Sequence, residues 1–344
     1  MKVNRVWLGT GLVLCCLAIS ILPSCKNEKA DNQQETVNGA TGNSAIDNLT
    51  KAIGSDPENA DLYAQRARLF YDNEGYDEAI QDLSAALTLD STNVDYHHML
   101  ADVYMDYFKS RLALKTMERA AALYPDRIPT LLKLSEFQLI LKQYEQSLKT
   151  INHVLELDPQ NADGYFMLGM VLKETGDTTR AINSFQNAVE IEPEMVDAWI
   201  NLGQLHARIK GNLAGQFFDN AIKIAPDNPT ALHAKASFLA DQGDFKGAID
   251  LYRKINIADP QYEEGYFNSG LLYLEMDSLQ QAYKLFDLTI KVDPLHIRAY
   301  FFRGYAEEHL GKPDDAIKDY QQALRLAPEY ELAKEGLARL SKGN

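Results

Sequence analysis

The chain has 344 residues, with 34 Lys and Arg against 49 Asp and Glu for a formal charge of −15, and 46% of its residues are hydrophobic. This composition excludes a disordered or collagen-like body and a chain embedded throughout in a membrane. The negative field repels nucleic-acid phosphates and anionic lipid head groups, so no nucleic-acid partner is expected.

The first 25 residues read as an export signal. Lys2 and Arg5 give a cationic start, Trp7 to Leu22 is largely apolar but short for a membrane span, and Pro23, Ser24 and Cys25 follow. Leu22-Pro23-Ser24-Cys25 resembles a bacterial lipobox, a resemblance that implies lipid attachment at Cys25 and cleavage just before it. Residues 1–24 are therefore expected to be a lipoprotein signal peptide. Cys15 and Cys16 would leave with it, so Cys25 would be the single thiol of the mature chain and no disulfide framework is possible. Removing residues 1–24 removes Lys2 and Arg5 and no acid, which leaves 32 basic against 49 acidic residues, a net −17. Residues 25–42 contain one large aliphatic residue, Val37, too little to offset ordering entropy, and read as a flexible tether. Lys26-Asn27-Glu28-Lys29 lacks the early Asp of inner-membrane lipoproteins and no unbroken acidic run follows. The expected address is the outer membrane, facing the periplasm and held by the N-terminal lipid only.

From residue 43 the chain repeats. Pro57, Ser91, Pro125, Pro159, Pro193, Pro226, Pro260, Pro294 and Pro328 are separated by 34 residues at every step but one, which is 33. The units run 60–93, 94–127, 128–161, 162–195, 196–228, 229–262, 263–296 and 297–330. They are preceded by a half unit at 43–59, where Ala45, Leu49, Ala52 and Pro57 keep the second-helix spacing, and followed by a helix over 331–342 with Leu332, Leu337 and Leu340 on one side. The fourth unit carries Tyr165, Leu168, Gly169, Leu172, Gly176, Ala181, Phe185, Ala188 and Pro193, and the fifth Trp199, Leu202, Gly203, Ala214, Phe218, Ala221 and Pro226. This spacing resembles the tetratricopeptide repeat (TPR). The resemblance implies an all-α fold over 43–344, a right-handed superhelix of helix-turn-helix units.

Each repeated residue has a physical task. Positions 4, 7, 8 and 11 of a unit lie on one stripe of its first helix, and a Gly or Ala at position 8 lets the second helix approach. Positions 20, 24 and 27 form the facing stripe. Gly176, Gly243 and Gly311 fall at the intra-unit turn, where a positive φ costs Gly little. Phe108-Lys109 and Lys142-Gln143 stand there without Gly, and the fifth unit lacks one residue between Leu205 and Ala214, which predicts a shortened turn near Lys210-Gly211-Asn212.

No chemistry is written in the repeats. The seven His are scattered over six units without metal-ligand spacing, no phosphate-cradling Gly-rich loop occurs, and no Gly-x-Ser-x-Gly elbow is present. No metal, no cofactor and no catalytic residue is expected. TPR arrays bind partners in a groove lined by positions 2, 5, 6, 9, 12 and 13 of the first helices, and the co-chaperone carboxylate clamp, which places Lys at position 5 and Asn at positions 6 and 9, is absent because position 5 carries no Lys here. Phe166, Met167, Met170 and Ile200, then Phe267, Leu271, Phe301, Phe302 and Tyr305, predict an exposed apolar strip for a protein or extended peptide, with Asn201 and Asn268 able to bond a peptide backbone. Ser91, Thr178 and Ser278 each follow an Asp between helices, in a pattern resembling an envelope O-glycosylation sequon. The reading favoured is a non-enzymatic, lipid-anchored adaptor or scaffold in an envelope assembly, secretion or proteolysis machine. A nutrient- or glycan-capturing lipoprotein is the alternative, although units of 33 or 34 residues leave no insertion to build such a site.

Overall fold

The structure, a computed structural model, describes residues 43–342. The expected signal peptide, Cys25 and the expected tether lie outside the described residues. Within them the chain forms eighteen α-helices and no strand. Helix α1 (Ser44–Ser55) is the half unit. Units 1 to 4 are the pairs α2 (Ala60–Asp72) and α3 (Tyr76–Leu89), α4 (Val94–Asp106) and α5 (Ser110–Leu123), α6 (Ile128–Ile140) and α7 (Tyr144–Leu157), and α8 (Ala162–Glu174) and α9 (Thr178–Ile191). Units 5 to 8 are α10 (Val196–Arg208) and α11 (Ala214–Ile224), α12 (Pro229–Asp241) and α13 (Phe245–Ala258), α14 (Glu263–Glu275) and α15 (Leu279–Val292), and α16 (Ile297–His309) and α17 (Pro313–Leu326); α18 (Glu331–Lys342) closes the array. Short connections make every pair antiparallel.

The close approach of the two helices is written at positions 8 and 24. A Cβ added to Gly203 would stand 2.5 Å from the Phe218 ring, and one on Gly270 would stand 2.6 Å from that of Phe286. Where position 8 is Ala67, Ala101 or Ser135, position 24 is the narrower Leu83, Met117 or Ile151. These position-24 side chains are among the most deeply buried described, so each unit centres on one large knob received by one small residue. Position 4 adds a polar tie between units: Tyr63, Trp199 and Tyr300 donate to the carbonyls of Pro57, Pro193 and Pro294 at 3.1, 2.8 and 3.3 Å. The ring fills the core while its polar tip satisfies an orphan loop carbonyl.

The turns keep one geometry whether or not they hold Gly. Glu74, Phe108, Lys142, Lys210 and Asp277 adopt φ of 55 to 60°, the left-handed conformation that Gly176, Gly243 and Gly311 take in the other units. Phe108 N–H reaches the Met105 carbonyl at 3.0 Å and Lys109 N–H that of Tyr104 at 2.7 Å, which ties off the end of α4. The fifth unit differs from the sequence expectation. Its turn is not shortened: Lys210 has φ 55° and Gly211 N–H still bonds the His206 carbonyl at 2.7 Å. The missing residue is absorbed by α11, which has 11 residues where α9 and α13 have 14, and α11 still packs on both α10 and α12.

Candidate functional site

Successive first helices touch one another, as α6 does α8, α10 does α12 and α14 does α16, whereas successive second helices do not to the same extent. The first helices are therefore the inner, concave layer. Its rim is acidic at position 2, where Asp61, Asp95, Asp163, Asp197 and Glu264 are exposed. One rim acid also staples neighbouring units, since Tyr96 donates to Asp61, and at the far end of α4 Tyr71 donates to Asp106.

The predicted apolar strip divides in two. Phe166, Met167 and Met170 on α8, Asn268 and Leu271 on α14, and Phe302 and Tyr305 on α16 are half-buried and keep part of their surface. Ile200, Asn201, Phe267 and Phe301 are buried, which corrects the expectation that they line the groove. The reason is packing within the unit together with side chains from adjoining units. Arg298 lies 4.7 Å over the Phe267 ring, the His296 ring is 4.5 Å away, and Phe286 and Phe302 flank it. Phe301 is closed by Tyr320 and by the edge of Tyr330 at 5.6 Å, and Ile200 packs in one cluster with Phe218 and Ala231. Asn201 accepts a hydrogen bond from Lys173 at 2.7 Å and donates to the Asp197 carbonyl at 2.8 Å, so it offers nothing to a peptide. In these units position 5 is a core contact to the next unit.

Sequence reasoning missed the charges inside the array. Arg66 grips Asp82 through two bonds of 2.7 Å, and Arg303 grips Asp319 likewise while a third nitrogen reaches Asp287 at 2.7 Å. Lys235 pairs with Asp219 at 3.0 Å. All are position-7 cations and acids sixteen residues away, a spacing that was available in the sequence. The fork of Arg303 joins its own second helix, α17, to the preceding one, α15. Burial would raise the Asp287 carboxyl, but Lys291 and Arg303 hold it below its ordinary range. Glu307, buried beside this network, has a carboxyl oxygen without a hydrogen-bond partner, and burial, with Asp319 adding, pushes it up to about 7.

Ser91 is exposed in the loop before α4, and Ser278 flanks the start of α15. Thr178 is the first residue of α9 rather than a residue between helices, because Asp177 caps that helix by accepting from Arg180 N–H. Among the described residues no three His, Cys, Asp or Glu side chains converge on a metal-sized site. No helix there is long and apolar enough to cross a membrane.

Models described as tetratricopeptide or TPR repeat match residues 67–106, 128–161, 150–183, 213–263 and 297–330. Neutrophil cytosol factor 2 of Bos taurus is 36% identical over 85 residues, 25% of this chain and 16% of that protein. The RNA polymerase II-associated protein 3 of Mus musculus is 30% identical over 131 residues, 37% of this chain and 20% of that one. The chain thus spans a fifth or less of the length of these curated relatives. The solved structure of PilW, a type IV pilus biogenesis factor, superposes with a TM-score of 0.54 at 20% identity, covering 61% of this chain and 98% of that one. The Cut9–Hcn1 assembly of the APC/C gives 0.54 at 14% identity, covering 86% and 58%. Both likenesses are of fold. The chain carries tetratricopeptide repeats, and its fold is that of a TPR solenoid.

Proposed function

We propose that the chain is a non-enzymatic adaptor, anchored by a lipid on Cys25 to the periplasmic face of a bacterial outer membrane, that holds an extended segment of a partner protein in its concave groove. The observation that carries this reading is the inner layer itself. Met167 and Met170 on α8 and, two units on, Leu271 and Tyr305 on α14 and α16 keep apolar surface on the inner layer, whose rim carries Asp61, Asp95, Asp163, Asp197 and Glu264. A segment with apolar anchors and flanking basic residues matches that face in shape and charge. TPR proteins act as protein-interaction scaffolds, and units of 33 or 34 residues leave no insertion from which to build a small-ligand site. The test is Met170→Glu with Leu271→Glu, compared with wild type in pull-downs from the native membrane fraction. The expected result is loss of the captured protein with helical content and Tm unchanged; retained capture would move the site off the groove. Mass spectrometry of the mature N-terminus tests the anchor, and an unmodified residue other than Cys25 there would refute it.

A further inference from the structure

The first and the last described helices are the two halves of one unit. In the register of the repeat, α1 is a second helix, with Ala45, Leu49 and Ala52 at positions 20, 24 and 27, and α18 is a first helix, with Leu337 and Ala338 at positions 7 and 8. Each is seated on the array as its counterparts are. Helix α1 buries Ile46 and Ile53 where it packs on α2, and α18 buries Ala333 against Tyr320 and Ala323 of α17, the position-3 contact that Ala299 makes with Phe286 and Ile290 in the preceding unit. Their other faces are bare. In units 1 to 8 the residues at positions 8, 20, 24 and 27 are all buried, whereas Ala45 and Ala338 are exposed and Leu49, Ala52 and Leu337 are half-buried.

The two bare faces fit each other. Terminal repeats of a solenoid stay soluble by turning a polar face outward, but the positions left open here are apolar. A position-8 Ala goes with a narrow position-24 side chain, as Ala67 does with Leu83 and Ala101 with Met117, and Ala338 with Leu49 is such a pair. Position 20 meets the same turn of the first helix, since Ser147 Oγ donates to the Ser135 carbonyl at 2.9 Å in unit 3, which sets Ala45 against Ala338. Antiparallel packing also brings the exposed Lys51, near the C-terminus of α1, to the same end as the exposed Glu331 and Glu335, near the N-terminus of α18. The segment before α1 cannot supply the missing first helix. Its residues at positions 4, 7, 8 and 11 are Lys29, Asn32, Gln33 and Thr36, where unit 4 carries Tyr165, Leu168, Gly169 and Leu172, so it has no apolar stripe to lay on α1.

We propose that α18 of one copy packs on α1 of a second copy, completing a helix pair between chains and joining copies head to tail. The contact is heterologous: each copy spends one face and keeps the other, so assembly continues past the dimer unless it closes into a ring. Two 12-residue helices make a small interface, of the kind whose association is weak and rises with concentration. Helix α18 touches α16 as successive first helices do, so the inner layer of one copy runs on through α18 into α2 of the next. The contact uses neither the groove residues nor the lipid at Cys25, and it stands or falls apart from them.

The test uses the full chain with Cys15, Cys16 and Cys25 changed to serine, carrying Ala45→Cys, Ala338→Cys or both, and a short bis-maleimide crosslinker. A mixture of the two single variants should give a crosslinked dimer that neither gives alone, and the double variant should give a ladder of dimer, trimer and longer species. Leu49→Glu added to the double variant should thin the ladder about tenfold at unchanged helicity, because its carboxylate would be buried without a partner. Sedimentation of the cysteine-free chain should show a mass that rises with concentration, and Ala338→Glu should hold it at the monomer. Dimers from either single variant as abundant as those from the mixture would mean a symmetric pairing and overturn the proposal. So would a double variant that closes within one chain without a ladder, a ladder indifferent to Leu49→Glu, or no crosslink in any mixture. In cells, an Ala45→Cys adduct with a different protein in place of the ladder would overturn it as well.

Discussion

Glu307 and His206 stand at position 11 of their first helices, where units 4 and 6 place Leu172 and Leu239 in the core. Glu307 is buried with one carboxyl oxygen unpartnered, and both ring nitrogens of His206 are buried without partners, its ring packed 4.8 Å from Phe217. Burial raises the acid to about 7 and lowers the histidine. The folded state holds the Glu307 proton more tightly than the unfolded chain, so stability falls as pH rises from the ordinary carboxyl range through about 7. For His206 the sign reverses, and stability falls as pH drops below the ordinary imidazole range. Glu307→Gln should therefore raise Tm at pH 8 and change it little at pH 4, read by thermal melts across pH. A constant offset at every pH would refute the titration account. Phe267 belongs to the same scale. Buried under Arg298 and His296, it should cost about 3 to 5 kcal/mol when changed to Ala, measured by urea unfolding, rather than act as an exposed binding residue.

At the scale of a helix pair, the account rests on a small position 8 receiving a large position 24. Gly270→Ala puts a methyl 2.6 Å from the Phe286 ring and should destabilise by about 1 to 3 kcal/mol. Adding Phe286→Leu should recover part of that loss, as Ala67 with Leu83 already does in unit 1. Additive losses in denaturant melts would show that the two residues do not share one space. The all-helical repeat and the need for a small residue at position 8 were legible in the sequence, because a stripe repeated eight times averages away local exceptions. The fate of position 5 was not. Whether Phe267 faces a groove or the next unit depends on Arg298 and Phe302, which belong to that unit, and on His296 in the loop before it, and no periodicity within one helix reports a side chain arriving from another. The deletion in unit 5 was visible as a missing residue, but its place was not: the fold keeps the hydrogen bonds of the turn at Lys210 and begins α11 late, at Ala214. The position-7 cations were visible one by one. Their partners sixteen residues away became meaningful only when the fold set Arg303 between Asp287 and Asp319.

At the scale of the whole molecule, every large contact joins neighbouring helices, so the array should open as coupled units without a single boundary. Hydrogen exchange should show the weakest protection in α1, α18 and the trimmed α11, rising within the pairs on either side of α11; two blocks divided by one sharp edge would contradict this. The central claim is that the inner face of the first helices holds a partner. Its most direct test is photo-crosslinking in intact cells, with a photoreactive residue placed at Met170 or Leu271 on the inner layer, or at Lys149 on the outer one. The account predicts one discrete adduct, the same protein from both inner positions, and none from Lys149. An adduct from Lys149 alone, or the same adducts from all three positions, would contradict it.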